Sequence, residues 1–195
     1  MIPVADEIYV CNWSGDSIAV HPRTASGDVA PIRQIFGTNT GINGCEGVAF
    51  DVEARELYVF DATSITIRVF SAEADGDVEP IRIMSGLSDL TDPYGGAIDY
   101  ARGEVIVVGK FDIMTFPLGA SGDVEPTRTI TPGFLTDSHK EVAYDPDREE
   151  IFVVDDEGER VLVYDRLDDG EVAPKRTIEG LNTDFAQPTA ITLIR

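Results

Sequence analysis

The sequence has little cysteine, little lysine and no long apolar run. Two cysteines, Cys11 and Cys45, are too few for a disulfide-stapled scaffold, and the sequence leaves their redox state open. No stretch approaches the roughly 18 apolar residues of a membrane-spanning helix. The first residues lack a basic segment followed by an apolar one, so we expect a soluble protein with no signal peptide in this chain. The compartment stays open.

Basic residues are scarce. Asp and Glu number 36 against 15 Lys and Arg, which gives a formal net charge of -21. Such a surface repels nucleic acids and anionic membranes, so neither is expected as a partner. A surface poor in lysine and rich in aspartate also fits a saline habitat, where salt screens the repulsion between carboxylates. The alternative is an acidic protein without such a habitat.

Helical periodicity is absent, and a repeated phrase takes its place. The phrase has seven positions: Gly, then Asp or Glu, then Val, then Ala or Glu, then Pro, then a variable residue, and finally Arg. It begins at Gly27, Gly76, Gly122 and Gly170. These glycines are 49, 46 and 48 residues apart. A period in the forties that is built from short strands is typical of β-propeller blades.

Each repeat predicts four short antiparallel strands. The innermost strand carries an alanine at the same place in every repeat: Ala49, Ala97, Ala143 and Ala190. The second strand begins at a glutamate and continues in β-branched and aromatic residues, which favour strands; these glutamates are Glu7, Glu56, Glu104 and Glu150. The fourth strand follows the repeated proline, which belongs at a sheet edge because it cannot donate a ladder hydrogen bond.

The two ends of the chain complement each other. The chain opens with a second strand at Glu7 and ends with an innermost-type segment from Pro188 to Leu193. We therefore predict one all-β domain over 1–195, a four-bladed β-propeller closed by the C-terminal strand, which completes the N-terminal blade. The predicted blades are 7–36 plus 188–194, 46–85, 94–131 and 140–179.

The closure can be made in two ways. A monomer is favoured, in which the C-terminal strand pairs with its own first blade. The alternative is an eight-bladed homodimer in which the last strand of each chain completes the other chain, because the same hydrogen bonds form in either case.

The four arginines of the phrase lie on the same strand face as an apolar residue two positions later. They are Arg33, Arg82, Arg128 and Arg176. We expect their aliphatic stems to pack between blades and their guanidinium groups to pair with acids of a neighbouring blade. The alternative is four exposed charges at a sheet edge, each contributing about 0–1 kcal/mol.

The repeat resembles a known family in the runs 47–51, 56–61 and 67–70, which read GVAFD, ELYVFD and IRVF. They are similar to NHL-type repeats and to the related lactonase-like and gluconolactonase-like propellers. The resemblance implies blade architecture over nearly the whole chain. Those propellers usually have six or more blades, so a four-bladed chain departs from them.

The resemblance also implies a candidate metal set. Gluconolactonase-like enzymes hold an axial metal with acid and amide side chains, and Glu46, Asn12, Asp61 and Gln187 match this set in part. Calcium is the ion to consider, since it prefers oxygen ligands. Apart from this, no cofactor is expected.

The residue before each innermost strand differs from repeat to repeat: Glu46, Tyr94, Lys140 and Gln187. A position that packing fixes holds the same residue in every repeat, whereas these four positions differ. This ring is therefore our candidate ligand site, and Asn12, Asp61 and Asp155 from neighbouring loops extend it. The alternative is ordinary variable loop surface. No catalytic constellation accompanies the ring. We therefore expect a non-enzymatic binding or scaffold module that presents one face around the axis to a small ligand, glycan or protein; the alternative is a metal-dependent lactonase-like hydrolase.

Overall fold

Short β-strands make up nearly all the regular structure of this chain. The computed structural model describes residues 6–87, 90–132 and 141–194. Within these ranges it has sixteen strands and one 3-10 turn, Trp13–Gly15. The prediction of an all-β protein is therefore confirmed. The described part of the chain contains no helix long and apolar enough to span a bilayer.

The first two sheets contain three and five strands. The first has the order β1-β2-β3 and is antiparallel. The second has the order β11-β7-β6-β5-β4, in which β11 joins from the third repeat. The strands are β1 Glu7–Asn12, β2 Ser17–Pro22, β3 Arg33–Ile35, β4 Cys45–Asp51, β5 Glu56–Asp61, β6 Thr66–Ser71, β7 Arg82–Ser85 and β11 Gly122–Asp123.

The third and fourth sheets have four strands each and are antiparallel throughout. Their orders are β12-β10-β9-β8 and β13-β14-β15-β16. The strands are β8 Gly95–Asp99, β9 Glu104–Val108, β10 Ile113–Pro117, β12 Arg128–Ile130, β13 Val142–Asp145, β14 Glu150–Asp155, β15 Arg160–Asp165 and β16 Arg176–Ile178.

Aspartates close the tight turns between the first two strands of a repeat. Asp51 Oδ1 accepts hydrogen bonds from the backbone N–H groups of Glu53 and Ala54, at 2.8 and 3.0 Å. Asp145 Oδ1 repeats this with Asp147 and Arg148, at 2.9 and 3.2 Å. A short carboxylate at this place satisfies turn amides that the strand ladder cannot reach.

Three apolar clusters fill the spaces between consecutive sheets. One joins Ile18 and Val20 of the first sheet to Leu57 and Val59 of the second. Equivalent clusters lie between the second and third sheets and between the third and fourth. The second strands of the second and third sheets, β5 and β9, are thus covered on both faces, which explains their continuous runs of β-forming residues.

A polar joint accompanies each apolar cluster. Arg33 donates to both carboxylate oxygens of Glu7, at 2.9 and 2.8 Å, and to the carbonyl of Ala72 in the second sheet, at 3.0 Å. The hydrogen bonds from Arg33 hold the pKa of Glu7 below its ordinary value. Each guanidinium therefore binds an acid of its own sheet and a backbone carbonyl of the next sheet.

The same joint recurs twice. Arg82 binds Glu56 of its own sheet and the carbonyl of Leu118, and Arg128 binds Glu104 and the carbonyl of Arg166. The expectation that the stems pack between sheets agrees with the 15–22% exposure of these three side chains. The expected acid partner on a neighbouring sheet is wrong: the neighbour supplies a carbonyl instead.

The glycine of the repeated phrase extends the preceding sheet. Gly76 N donates to the carbonyl of Gln34 at 2.7 Å, and Gly170 N donates to the carbonyl of Thr129 at 2.6 Å. Gly122 pairs with Met84 in the parallel β11·β7 ladder. The turn of one repeat therefore covers the outer edge of the sheet before it.

The prediction of a four-bladed propeller is wrong. The described strands form four separate sheets of three, five, four and four strands, without a closed arrangement. The segment 188–194, expected to complete the first sheet, forms no strand. Its Leu193 and Ile194 instead line a groove with Asp145 and Arg176 of the fourth sheet.

The failure has a physical reason. An innermost-type sequence has the propensity for a strand but does not say which sheet it joins. The chain leaves β16 at an edge of the fourth sheet, and the end of the segment after it lies beside Glu150, Phe152 and Arg176 of that sheet. The first sheet keeps β1 as an open edge, with Ile8 and Val10 exposed by 42% and 41%.

Cys11 and Cys45, whose state the sequence left open, form a disulfide. It connects β1 to β4 and closes a loop with a sequence separation of 34 residues. The first sheet is therefore held to the second by a covalent bond as well as by the apolar cluster and Arg33.

The joint arginines can be tested by a conservative substitution. Arg82→Lys keeps the charge but loses the two-pronged contact with Glu56 and the bond to Leu118 O, so we expect the free energy of unfolding to fall by about 1–3 kcal/mol. Arg148→Lys is the matched control, because Arg148 pairs with Asp145 at a side-chain exposure of 73% and its change should cost under about 1 kcal/mol. Urea unfolding measures both; equal losses would contradict the joint.

The disulfide makes a second prediction. The Cys11→Ser/Cys45→Ser variant should lose about 2–4 kcal/mol of unfolding free energy, because the unfolded chain regains the entropy of the open loop. A thiol titration of the unfolded wild type, without reductant, should find no free thiol, since the structure has none. Two titratable thiols would contradict the pairing.

Candidate functional site

The innermost strands approach one another at their N-terminal ends. Gly47 of β4 packs so close to Tyr94 that a Cβ added to the glycine would lie 2.5 Å from the Tyr94 carbonyl oxygen. A Cβ on Gly95 of β8 would lie 3.0 Å from Glu141 Oε1. Glycine is required at position 47 because the backbone before the next innermost strand meets it there, whereas at position 95 the neighbour is the Glu141 carboxylate.

We call this surface the inner-strand mouth and define it by Glu46, Tyr94 and Glu141. All three residues are half-buried. Glu46 lies at the register shift of β4 between Cys45 and Gly47. The Tyr94 amide donates to the carbonyl of Val108 at 3.0 Å, which fixes the backbone just before β8.

Glu141 is the electrostatically distinctive member of the mouth. Burial raises the pKa of its carboxyl above the ordinary value of 4.5, against a smaller opposing effect of the Val142 amide. Its main-chain carbonyl accepts a hydrogen bond from Val154 N at 3.0 Å, so the residue is anchored to β14. A half-buried carboxyl of this kind is a candidate ligand-binding group.

Sequence reasoning missed Glu141. The signal was present, because this position holds glycine in two other repeats, Gly47 and Gly95, and proline in the last, Pro188. A charged residue at a position that otherwise holds glycine or proline indicates that this position has a different role in the third innermost strand. Periodicity placed it inside a strand, and strand position alone does not reveal that Gly95 opens space for its carboxylate.

Two predicted site residues are part of the scaffold. Asp61 is fully buried, and its oxygens accept from the amides of Asn43 at 2.8 Å and Ser64 at 3.1 Å and from Arg68 Nε at 3.3 Å. Asp155 is also fully buried and pairs with Arg160 at 2.8 Å. Both carboxylates therefore stabilise the loop that follows the second strand.

The remaining predicted residues are dispersed. Asn12 ends β1 and donates to Ser17 Oγ at 3.4 Å across the 3-10 turn. Gln187 is exposed, with a left-handed φ of 48°, in the segment after β16. Lys140 lies outside the described residues. Of the predicted ring, the structure brings together Glu46 and Tyr94, and it adds Glu141.

The candidate metal set is not assembled as a cluster. In residues 6–87, 90–132 and 141–194, no group of three or more His, Cys, Asp and Glu side chains is placed to hold a metal ion. Of the four residues in that set, Asp61 is engaged by Arg68 and two amides, as described above.

Three grooves of the molecule have linings that do not include Glu46, Tyr94 or Glu141. One of about 630 Å³ includes Leu87, Met114 and Val124, at the joint of the second and third sheets. The others, of about 480 and 440 Å³, lie beside Leu181 and Phe185 and beside Leu193 and Ile194.

Comparison with known proteins gives a fold likeness alone. No protein-family model and no curated protein matches the chain. Among solved structures, the chain is similar to Kuenenia stuttgartiensis hydrazine synthase, with a TM-score of 0.63 and 19% sequence identity. The match covers 85% of this chain and 44% of that one, so this chain spans less than half the length of that relative. At this identity the likeness concerns the arrangement of sheets.

Glu141 predicts a pH dependence of stability. Because burial raises the pKa of Glu141, the folded protein holds this proton more tightly than the unfolded chain. The free energy of unfolding should fall as pH rises from the unfolded pKa through the folded one. Glu141→Gln should remove this fall, so the variant should be more stable than wild type above that window and equal to it below.

Urea unfolding from about pH 4 to about pH 8 covers the window. Glu53→Gln is the matched control, because Glu53 is exposed in the turn at the other end of β4. A Glu141→Gln curve that stays parallel to wild type over the whole range would show that Glu141 is not destabilised by burial.

Proposed function

We propose that this chain is a non-enzymatic binding or scaffold module that presents the inner-strand mouth to a partner. The observation that carries the proposal is the close approach of Gly47, which follows Glu46, to the Tyr94 carbonyl, and of Gly95, which follows Tyr94, to the Glu141 carboxylate. Positions that differ between repeats meet there on a rigid scaffold of sheets. Binding residues commonly concentrate at such strand ends.

Charge narrows the class of partner. Two of the three mouth residues are carboxylic acids, and the chain as a whole carries a net charge of -21. The negative electrostatic field of the chain accelerates association with a positively charged partner and suppresses association with an anion. A cationic small ligand, or a protein with a basic surface, therefore fits better than an acidic one; Tyr94 adds an aromatic face for stacking or cation–π contact.

The pairing of the predicted acids also favours binding over catalysis. The buried Asp61 and Asp155, which the sequence predicts as site residues, are already engaged by Arg68 and Arg160. These contacts support a binding module rather than the lactonase-like hydrolase. The resemblance to NHL-type repeats stays a prediction.

Calorimetric titration with spermine, a small tetravalent cation, tests the proposal. Wild type should bind spermine at low ionic strength, and Glu46→Gln/Glu141→Gln should weaken the affinity by about tenfold or more, since two carboxylates that face the ligand are lost. Glu46→Gln/Glu53→Gln is the matched control, because it removes the same charge but keeps Glu141. It should lose less affinity than the mouth double variant.

Equal weakening by the two double variants would show a general charge effect and overturn the mouth as the site. The non-enzymatic assignment has its own test. Hydrolysis of a lactone substrate, measured with calcium and again after chelation, should show no chain-dependent rate in either state. A rate that calcium supports and a chelator abolishes would overturn it in favour of the hydrolase.

A further inference from the structure

Trp13 is a large aromatic side chain that is open to solvent. It is the single tryptophan of the sequence, lies on the turn between β1 and β2, and is 56% exposed. The second and fourth repeats have a turn of the same length, and there the equivalent residues Ala62 and Asp156 are 8% and 7% exposed. An exposed side chain at this place of the turn is therefore a property of the first repeat.

The backbone of the turn is the same in these three repeats. The amide of Asp16 donates to the carbonyl three residues before it, at 3.5 Å, and Ile65 and Glu159 do the same in the second and fourth repeats, at 3.3 and 3.1 Å. These three donors have left-handed φ values of 45°, 49° and 48°. The fold therefore fixes the backbone at this turn, and the sequence of the first repeat places an indole on it.

A groove lies beside the indole. Its volume is about 320 Å³, and its lining consists of Trp13, Ser14, Asp16, Asn43, Gly44 and Thr63. All of these residues except Gly44 are exposed. Gly44 keeps the groove open, because a Cβ there would collide with Thr63 Oγ1 and would lie 3.4 Å from Trp13 Nε1. Its left-handed φ of 78° also favours glycine at this position.

Two connections hold the walls of the groove together. Asp16 Oδ1 accepts a hydrogen bond from Gly44 N at 2.9 Å, so the turn after β1 is tied to the loop before β4. The disulfide Cys11–Cys45 joins the same two segments, two residues before Trp13 and one residue after Gly44. A ligand that enters the groove does not have to order these walls, which lowers the entropic cost of binding.

The chemistry of the groove fits a neutral sugar. Besides the indole, the lining contributes two hydroxyls, one amide and one carboxylate, from Ser14, Thr63, Asn43 and Asp16. Hydroxyl and amide groups both donate and accept hydrogen bonds, and a carboxylate that accepts one bond keeps further acceptor sites. A pyranose ring has the complementary surface, with an apolar face of C–H groups and hydroxyls at its rim. An indole offers a flat apolar face and a polar N–H.

Other classes of ligand fit this lining less well. No Lys or Arg is among the described residues that line the groove, so an anion would meet the Asp16 carboxylate without a compensating cation. A purely apolar ligand would cover the hydroxyls and the amide without giving them partners, which is costly. An organic cation would use the indole and Asp16, but it offers few partners to the hydroxyls and the amide.

We propose that the groove at Trp13 is a binding subsite for a neutral pyranose unit of a saccharide. The indole stacks on one face of the sugar ring, and Asp16 and Asn43 bind its hydroxyls. The lining of this groove does not include Glu46, Tyr94 or Glu141, so the proposal concerns a second surface and is independent of the inner-strand mouth.

Trp13 reports its own occupancy, because the chain has no other tryptophan. Titration of the full chain with cellotetraose, mannotetraose, xylotetraose and chitotetraose should change the tryptophan emission for at least one of them, with a dissociation constant of about 1 mM or tighter. The same saccharide should protect Trp13 from quenching by acrylamide, since it covers the indole. If none of the four changes the emission or the acrylamide quenching at about 10 mM, the proposal fails.

The same readout separates a sugar from an organic cation. Choline is titrated beside the four saccharides as the small cation that an indole and a carboxylate would bind. A response to choline and to none of the saccharides would assign the groove to organic cations and overturn the proposal. A saccharide that covers Trp13 upholds it, whether or not choline also binds.

Single substitutions locate the contact by calorimetry, which does not need the tryptophan. Trp13→Ala should weaken binding of the responding saccharide by about tenfold or more, because the stacking face is lost, and Trp13→Phe should keep part of the affinity. Phe111→Ala is the matched control, because Phe111 is 46% exposed on the turn between β9 and β10 and is outside the lining of the groove. Its variant should bind like wild type.

Trp13 is exposed, so its variants should fold like wild type, as circular dichroism can check. Equal affinity of Trp13→Ala and wild type would show that the saccharide binds elsewhere on the chain and would overturn the proposal. So would a loss in Phe111→Ala as large as the loss in Trp13→Ala.

Discussion

The structure depends on the joint between consecutive sheets. Each joint combines an apolar cluster with an arginine that binds a glutamate of its own sheet and a carbonyl of the next. The guanidinium can do both because it offers several N–H donors in a rigid plane, and lysine cannot. The acid and the carbonyl lie in half-buried places, where an acceptor without a donor would lower the stability of the fold. The guanidinium supplies a donor to each of them. The repeated phrase supplies the arginine of each joint.

The joint also explains why the mouth exists. Sheets that stack through their faces bring their innermost strands side by side. Gly47 lets the backbone of β4 come close to the Tyr94 carbonyl, and Gly95 leaves space for the Glu141 carboxylate. The residues just before those strands differ from repeat to repeat, and function is proposed there for that reason.

Sequence patterns predicted local structure well. The glycine and arginine of the phrase, the glutamate that begins each second strand and the turn aspartates all have the strand or turn roles that their chemistry favours. Glu46 and Tyr94 lie just before Gly47 and Gly95, and their role in binding stays a prediction. Asp61 and Asp155 are engaged by Arg68 and Arg160, and nothing in a loop sequence shows that these arginines reach back to them. Glu141 was missed because its burial is created by another strand.

The sequence by itself determined that this is an all-β repeat protein with short strands, an acidic surface and one arginine for each sheet. Those properties are local: alternation, turn chemistry and charge act within a few residues. The tertiary structure alone decided that the sheets stay separate, that Cys11 pairs with Cys45 and that the last residues, 193–194, lie against the fourth sheet. Strand propensity does not specify a partner, since any edge offers the same backbone groups, and only the path of the chain through space selects one.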